Sequence, residues 1–329
     1  MERNADMNAQ KAISTRQRVF VAGGAGFIGS HLVHWLLKNR NDVDITVYDN
    51  FSSGKEWHLA DIKGDRRLKI IQGDIKDLDF LIKSMEDHNQ VFHFASNPDI
   101  AKAMTEPSID FWEGTYLTQN IVEAMRINNV RKIFYASGSG VYGETGYQET
   151  PEDYGPLLPI STYGASKLAG EALICSYCHL FGFIGKAYRF ANVVGSRQTH
   201  GVAYDFIRKL REDSSQLTIW GDGLQSKSYI FVDDIINAIM YTDQLSHAQF
   251  DYFNVATGDY ITVREIADLV VQEMGLSDVK YIFTGGDRGW KGDVPVVRFE
   301  LSKIYSLGWR SKLNSLDAIR QSVRLMLQE

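Results

Sequence analysis

The residues best equipped for chemistry in this chain are Tyr163 and Lys167, in the run Tyr163-Gly-Ala-Ser-Lys167. On a helix, positions i and i+4 share a face, so a phenol and an ammonium would project together. A positive charge beside a phenol favours its ionised form. A free phenol is a poor base at neutral pH, and bringing its pKa to about 7 requires about 4 kcal/mol of differential stabilisation. Lys167 and an oxidised nicotinamide ring could together supply that. Alone, Tyr-x-x-x-Lys is a weak signal that arises by chance on many solvated helices.

Its company gives it weight. Residues 19–30 read VFVAGGAGFIGS, an apolar run followed by Gly23, Gly26 and Gly29 and then the amphipathic stretch HLVHWLLK. This is the pattern of a strand, a tight turn and a helix start. Gly23 would let the chain turn sharply, Gly26 would let a pyrophosphate approach the backbone, and Gly29 would let the helix lie close on the sheet. A second apolar run, DITVYD, ends in Asp49, an acid placed to accept both hydroxyls of an adenosine ribose. Its charge would repel a ribose phosphate, and no Arg follows it directly in DNFSSGK, so the expected cofactor is NAD rather than NADP.

Apolar runs alternate with helical patterns through the first two thirds of the chain. VFVAGG, DITVYD, LKIIQGD, QVFHFAS, KIFYASG and GKAYRFANVVG are the strand candidates. Strand, helix, strand in this order predicts an α/β fold, a Rossmann-type doubly wound parallel sheet with ligands at the carboxyl ends of its strands. Those ends carry Asp49, Asp74, Ala95 to Asp99 and Ser137 to Ser139. Asp74 reads as an adenine contact or as the cap of the next helix. After residue 190 the pattern turns loop-rich, as in GSRQTHG, WGDGLQSKS and FTGGDRGWKGDVP. We therefore expect an NAD-binding domain over 18–190 and a smaller C-terminal α/β substrate-binding lobe over 191–329, with the chain crossing back to the first domain.

The formal net charge of -6 and the lack of a basic run argue against a nucleic-acid partner. Residues 1–17 are polar, without the apolar core of a signal peptide or anchor, and read as a disordered leader of a soluble, cytoplasmic protein with no membrane partner. Two cysteines, Cys175 and Cys178, fit a reducing compartment, and their spacing suits one packed helical face. His31, His34 and His93 have no acidic or thiolate partners in sequence, so no metal site is expected.

With YASGSGVYG added, these segments resemble the extended short-chain dehydrogenase/reductase superfamily, and more narrowly its NAD-dependent nucleotide-sugar epimerase/dehydratase family. The resemblance runs from about residue 18 onwards, and GGAGFIG, VYG, YGASK, RFANVVG, GDGLQSKSYIFVDDI and GDRGWKGDV all match family patterns in register. It implies that Tyr163 takes the proton from a sugar hydroxyl, usually at carbon 4, while NAD accepts the hydride and Lys167 binds the nicotinamide ribose. It extends the cofactor contacts to Phe27, Ile28, Asn50, Asp74, Ile75 and Ala95. On the substrate side it places Asn192, Lys227 and Arg288 at the diphosphate of a UDP- or GDP-linked sugar, where charged donors suit phosphate oxygens. It also implies a homodimer built on TYLTQNIVEAMRINN and the helix from Tyr163 to about His179.

Family dehydratases carry Asp-Glu just before the VYG turn, and decarboxylases carry a Glu there. This chain has Ser139 and Gly140, which leaves epimerisation as the favoured outcome. The family Ser or Thr that binds the reacting hydroxyl falls on Gly138, with Ser139, or second Ser137, as its substitute. The family Asn of the N-V-x-G-T segment falls on Gly114. A water could fill each gap, or the reaction could demand less of that hydroxyl. A 4-dehydrogenase releasing a keto sugar is the alternative outcome, and a non-catalytic NAD sensor the distant one.

Overall fold

The computed structural model of the protein describes residues 16–329. The elements run β1 (Gln17–Ala22), α1 (Phe27–Asn39), β2 (Val43–Asp49), β3 (Leu68–Gln72), α2 (Leu78–Ser84), β4 (Gln90–His93), α3 (Tyr116–Ile127), β5 (Lys132–Gly138), α4 (Thr162–Phe181), β6 (Ile184–Phe190) and β7 (Asn192–Val194). They continue with α5 (Val202–Glu212), β8 (Gln216–Ile219), β9 (Ser226–Lys227), β10 (Tyr229–Phe231), α6 (Val232–Leu245), β11 (Phe250–Val255), β12 (Ile261–Thr262), α7 (Val263–Glu273), β13 (Lys280–Phe283), α8 (Ser302–Ser306) and α9 (Ser315–Gln328).

Seven strands form one parallel sheet in the order β11-β6-β5-β4-β1-β2-β3. Its central strands are apolar without alternation because helices cover both faces. On one face, Leu32, Val33 and Leu36 of α1 pack with Ile235, Ile236 and Ile239 of α6. On the other lie Leu81 of α2, Ile121 and Met125 of α3, and Ile174 of α4. Cys178 belongs to that second layer, and burial raises the pKa of its thiol and of Cys175. The strand order reverses between β1 and β4, whose carboxyl ends lie side by side with Ala22 opposite His93. A crevice opens at such a reversal, and the glycine turn and residues 94–97 both enter it.

All six strand candidates are strands, with two refinements. GKAYRFANVVG breaks after Phe190, and β7 leaves the sheet to pair with β10. Phe250–Val255, not among the candidates, returns to the main sheet beside β6. Its pattern is obscured by Asp251 and by Asn254, which is fully buried because the carbonyls of Thr150 and Glu300 accept from its amide. The second lobe holds β8 with β13, β9 with β12, and the amphipathic helices α5, α7 and α9 around their own apolar core. The expected leader lies outside the described residues through position 15, and at its end Gln17 already pairs with Val43. Among the described residues no helix is long and apolar enough to cross a membrane.

Candidate active site

The glycine turn is built for a close approach. Gly23 has a φ of +77°, and a Cβ there would lie 2.6 Å from the Ala95 nitrogen, so the turn touches the loop after β4. A Cβ on Gly29 would lie 2.2 Å from the Gly23 carbonyl oxygen, which is why α1 can start so near the sheet. Gly26 caps α1 without a side chain, and no acid occupies the first turn. The N–H groups of Phe27, Ile28 and Gly29 are therefore left for an anion such as a pyrophosphate.

Asp49 is buried at the end of β2. It accepts from the Ala25 nitrogen at 2.9 Å and the Phe51 nitrogen at 2.8 Å, leaving acceptor capacity on each oxygen. Burial raises its pKa, and these backbone donors pull it back down. Asn50, exposed beside it, accepts from the Ser52 nitrogen. Asp74 is not the helix cap. Asp77 caps α2 by accepting from Phe80, while Asp74 closes a two-residue turn onto the Lys76 nitrogen at 2.8 Å. Ile75 is buried, and its carbonyl accepts from Asn120. This set of donors, acceptors and bare backbone fits a dinucleotide.

Ser161 caps α4 by accepting from the Gly164 nitrogen, which sets Tyr163 and Lys167 on the first turns. A Cβ on Gly164 would lie 2.4 Å from the Gly140 carbonyl oxygen, so the helix start presses on the VYG turn. Lys167 is buried and donates to the Ala136 carbonyl at 2.9 Å, with its ammonium 5.4 Å from the Tyr163 ring centroid. The expected lowering of the phenol by Lys167 does not occur with the chain's own groups. Burial first, and the Asp110 charge second, push Tyr163 up to about 12, against a hydrogen bond with Ser96. Burial brings Lys167 down to about 8, with Asp110 opposing. Desolvation outweighs the lysine charge.

The two substitute hydroxyls differ. Ser137 is buried and donates to Glu171 at 2.6 Å, in a network where Arg189 grips the same carboxylate at 3.0 and 2.7 Å. Ser139 opens the turn before Val141, and among the described residues its hydroxyl has no partner. Gly138 is extended, and a Cβ there would meet nothing nearer than the Phe190 carbonyl oxygen at 3.9 Å. Gly114 is the reverse case, because a Cβ would lie 2.7 Å from Ser166 Oγ. The glycine lets this turn pack directly on Ser166 of α4.

Asn192 and Lys227 lie on β7 and β9, and Arg288 on the loop that also carries Asp293. Asn192 donates to the Ser228 carbonyl at 3.3 Å, next to Lys227. Lys227 pairs with Asp293 at 2.5 Å, and Arg288 pairs with Glu144 at 2.8 Å and Asp287 at 3.1 Å. Both cations are thus paired with acids, and Arg288 joins its loop to the segment after the VYG turn. Of the histidines, His93 bonds Thr118 in the interior, and His34 lies between Asp61 and Arg197.

Sequence reasoning missed three residues. Ser96 meets Tyr163, Asp110 acts on both Tyr163 and Lys167, and Arg298 stacks 3.8 Å over Tyr260 while donating to the Ser226 carbonyl. Each is a single polar residue outside any periodic motif. Only the position of Ser96 and Asn97 at a strand's carboxyl end was a signal.

Residues 19–256 match the NAD-dependent epimerase/dehydratase family. A UDP-glucose 4-epimerase of Mycolicibacterium smegmatis is 32% identical over 79% of this chain and 84% of its own. A crystal structure of a UDP-galactose 4-epimerase aligns with a TM-score of 0.83 at 35% identity, covering 95% of this chain and 99% of that one. A dTDP-glucose 4,6-dehydratase from Streptomyces venezuelae, solved with NAD bound, aligns with a TM-score of 0.86 at 25% identity over 95% and 98%. With the glycine cradle, Asp49 and the Tyr163–Lys167 helix in one crevice, the chain belongs to the NAD-dependent epimerase/dehydratase family of extended short-chain dehydrogenase/reductase enzymes.

Proposed function

We propose that this enzyme is a 4-epimerase of a nucleotide-diphosphate sugar, UDP- or GDP-linked. The observation that carries the choice is that Ser139 and Gly140, not carboxylates, stand immediately before the VYG turn. Gly140 packs there, and a Cβ on it would already lie 3.3 Å from the Gly164 Cα. Glu171, the acid nearest in the network, is bound by Arg189 and Ser137. Loss of water needs an acid to protonate the leaving hydroxyl, whereas inversion needs the hydroxyl proton taken and returned and the hydride given back to the other face of a keto sugar that has turned over. Bound NAD would supply the reversible hydride acceptor.

The chain's own residues divide the rest. Tyr163 takes and returns the hydroxyl proton, and Lys167 holds a positive charge beneath it while binding the nicotinamide ribose. Ser139 orients the hydroxyl in place of a side chain at Gly138. Asn192, Lys227 and Arg288 hold the diphosphate, with Lys227 and Arg288 exchanging carboxylates for phosphate oxygens. The open space at Gly138 favours a second reading, a 4-dehydrogenase that releases the keto sugar. Incubation with UDP- and GDP-sugars, following product stereochemistry and NADH absorbance together, separates the two. A stable ketone without epimer contradicts the epimerase.

The enzyme acts as a homodimer through α3 and α4. Along α4, Ala165, Ala172 and Ser176 are exposed at helical spacing, with Phe111 and Trp112 exposed at the foot of α3. Small residues let a second pair of helices approach closely, and the aromatic pair is what a partner would cover.

A further inference from the structure

Asp110 is fully buried and has no ion-pair partner among the described residues. One carboxylate oxygen accepts from Asn97 Nδ2 at 2.9 Å, in the loop after β4, and the other from Thr162 Oγ1 at 2.6 Å, the first residue of α4. It stands just before a π-helical turn, Phe111–Thr115, that leads into α3. Gly114, four residues on, meets Ser166, four residues on from Thr162. The pairs 110–162 and 114–166 are thus successive rungs between the two helices, and Asp110 supplies the polar rung next to Tyr163.

Resting on the reading of Tyr163 and Lys167 as the reacting pair, we propose that Asp110 is a positioning residue of this site. It ties the first turn of α4 to the loop after β4 and, bonded to Thr162, sets a carboxylate next to the residue that precedes Tyr163. Among the described residues the ammonium has one hydrogen bond, to the Ala136 carbonyl, and no carboxylate in contact. Its other neighbours do not supply a negative charge. Tyr135 of β5 presents its ring 5.3 Å away, and His93 of β4 is kept neutral by burial. Glu171, on the same helix, is neutralised by Arg189. Asp110 is the carboxylate whose charge acts on both members of the pair, favouring the protonated form of each. The cost is a phenol that is harder to ionise, and the gain is a buried lysine that stays positive at neutral pH.

The test is Asp110→Asn, which keeps the shape and removes the charge. A tyrosinate absorbance titration of the purified protein, with Tyr163→Phe subtracted, reads the phenol directly. We expect the Tyr163 step to move down by about one pH unit, and both limbs of the pH–rate profile to move down with it. Thr162→Val, which loosens the tie but leaves the charge, should lower kcat and leave the step in place. A step that stays put in folded Asp110→Asn overturns the proposal. If that variant does not fold, Asp110→Ser, smaller and also neutral, carries the same expectation, and failure of both to fold assigns Asp110 to folding alone. Full activity in Tyr163→Phe would instead overturn the catalytic reading, which the absorbance titration distinguishes.

Discussion

Gly114 stands against Ser166 with no space between them: a Cβ on the glycine would lie 2.7 Å from Ser166 Oγ and 3.0 Å from its Cβ. Ser166 is itself fixed, donating to the Tyr163 carbonyl at 2.8 Å. The position where the family resemblance implies an Asn is here closed by packing, and the contact reaches the backbone of the residue assigned as the base.

Gly114→Ala should therefore destabilise the protein by roughly 1–3 kcal/mol through overpacking, measured by chemical denaturation, and lower kcat by displacing the start of α4. Gly114→Ala combined with Ser166→Gly should recover most of that loss, since the second change vacates the clashing atoms.

Gly138 predicts the opposite. Its backbone is extended and its surroundings are open, so Gly138→Ser should leave the denaturation midpoint unchanged or raised by up to about 1 kcal/mol of stability. Ser139→Ala should lower kcat about 10- to 100-fold, and adding Gly138→Ser to that variant should restore part of it. Unchanged kcat in Ser139→Ala would remove Ser139 from the site.

Lys167 carries a stability cost with a defined pH window. Its pKa in the folded protein, about 8, lies below the 10.5 of the free group, so the unfolded chain binds more protons between those values. Stability should therefore rise with pH through that window, and below it the burial costs up to about 3 kcal/mol. Lys167→Met should abolish turnover and raise the melting temperature at pH 7, as differential scanning calorimetry can check. A lowered melting temperature would show that the Ala136 hydrogen bond outweighs desolvation.

Ala172 lies on the outward stripe of α4, where a charge has no place in a helical bundle. Ala172→Glu should convert a dimer to a monomer by light scattering at micromolar concentration, at little cost to the fold. A monomeric parent protein would contradict the dimer itself.

What could be read from sequence was what lies contiguous in sequence. The dinucleotide cradle is a strand, a turn and a helix in twelve residues, each glycine with its own steric reason, and Asp49 ends the next apolar run. Tyr163 and Lys167 share one helix. The parts that escaped depend on distant segments meeting. Asp110 stands where Thr162 and Asn97 arrive beside it, and Asp77 rather than Asp74 caps α2 because the helix begins only at Leu78. The phenol's ionisation shows the same limit: spacing reveals the lysine beside it, but not the burial that raises the phenol and lowers the lysine in the chain by itself.

Inversion at a carbon, loss of water and release of a ketone leave three different products. The direct measurement is proton NMR of the products after incubation with a panel of UDP- and GDP-sugars, with Tyr163→Phe as control. A 4-epimerase should convert one sugar to its 4-epimer, in equilibrium with the starting sugar, with no NADH accumulating and no conversion by the variant. A 4-keto-6-deoxy sugar, or a 4-keto sugar without epimer, would contradict it.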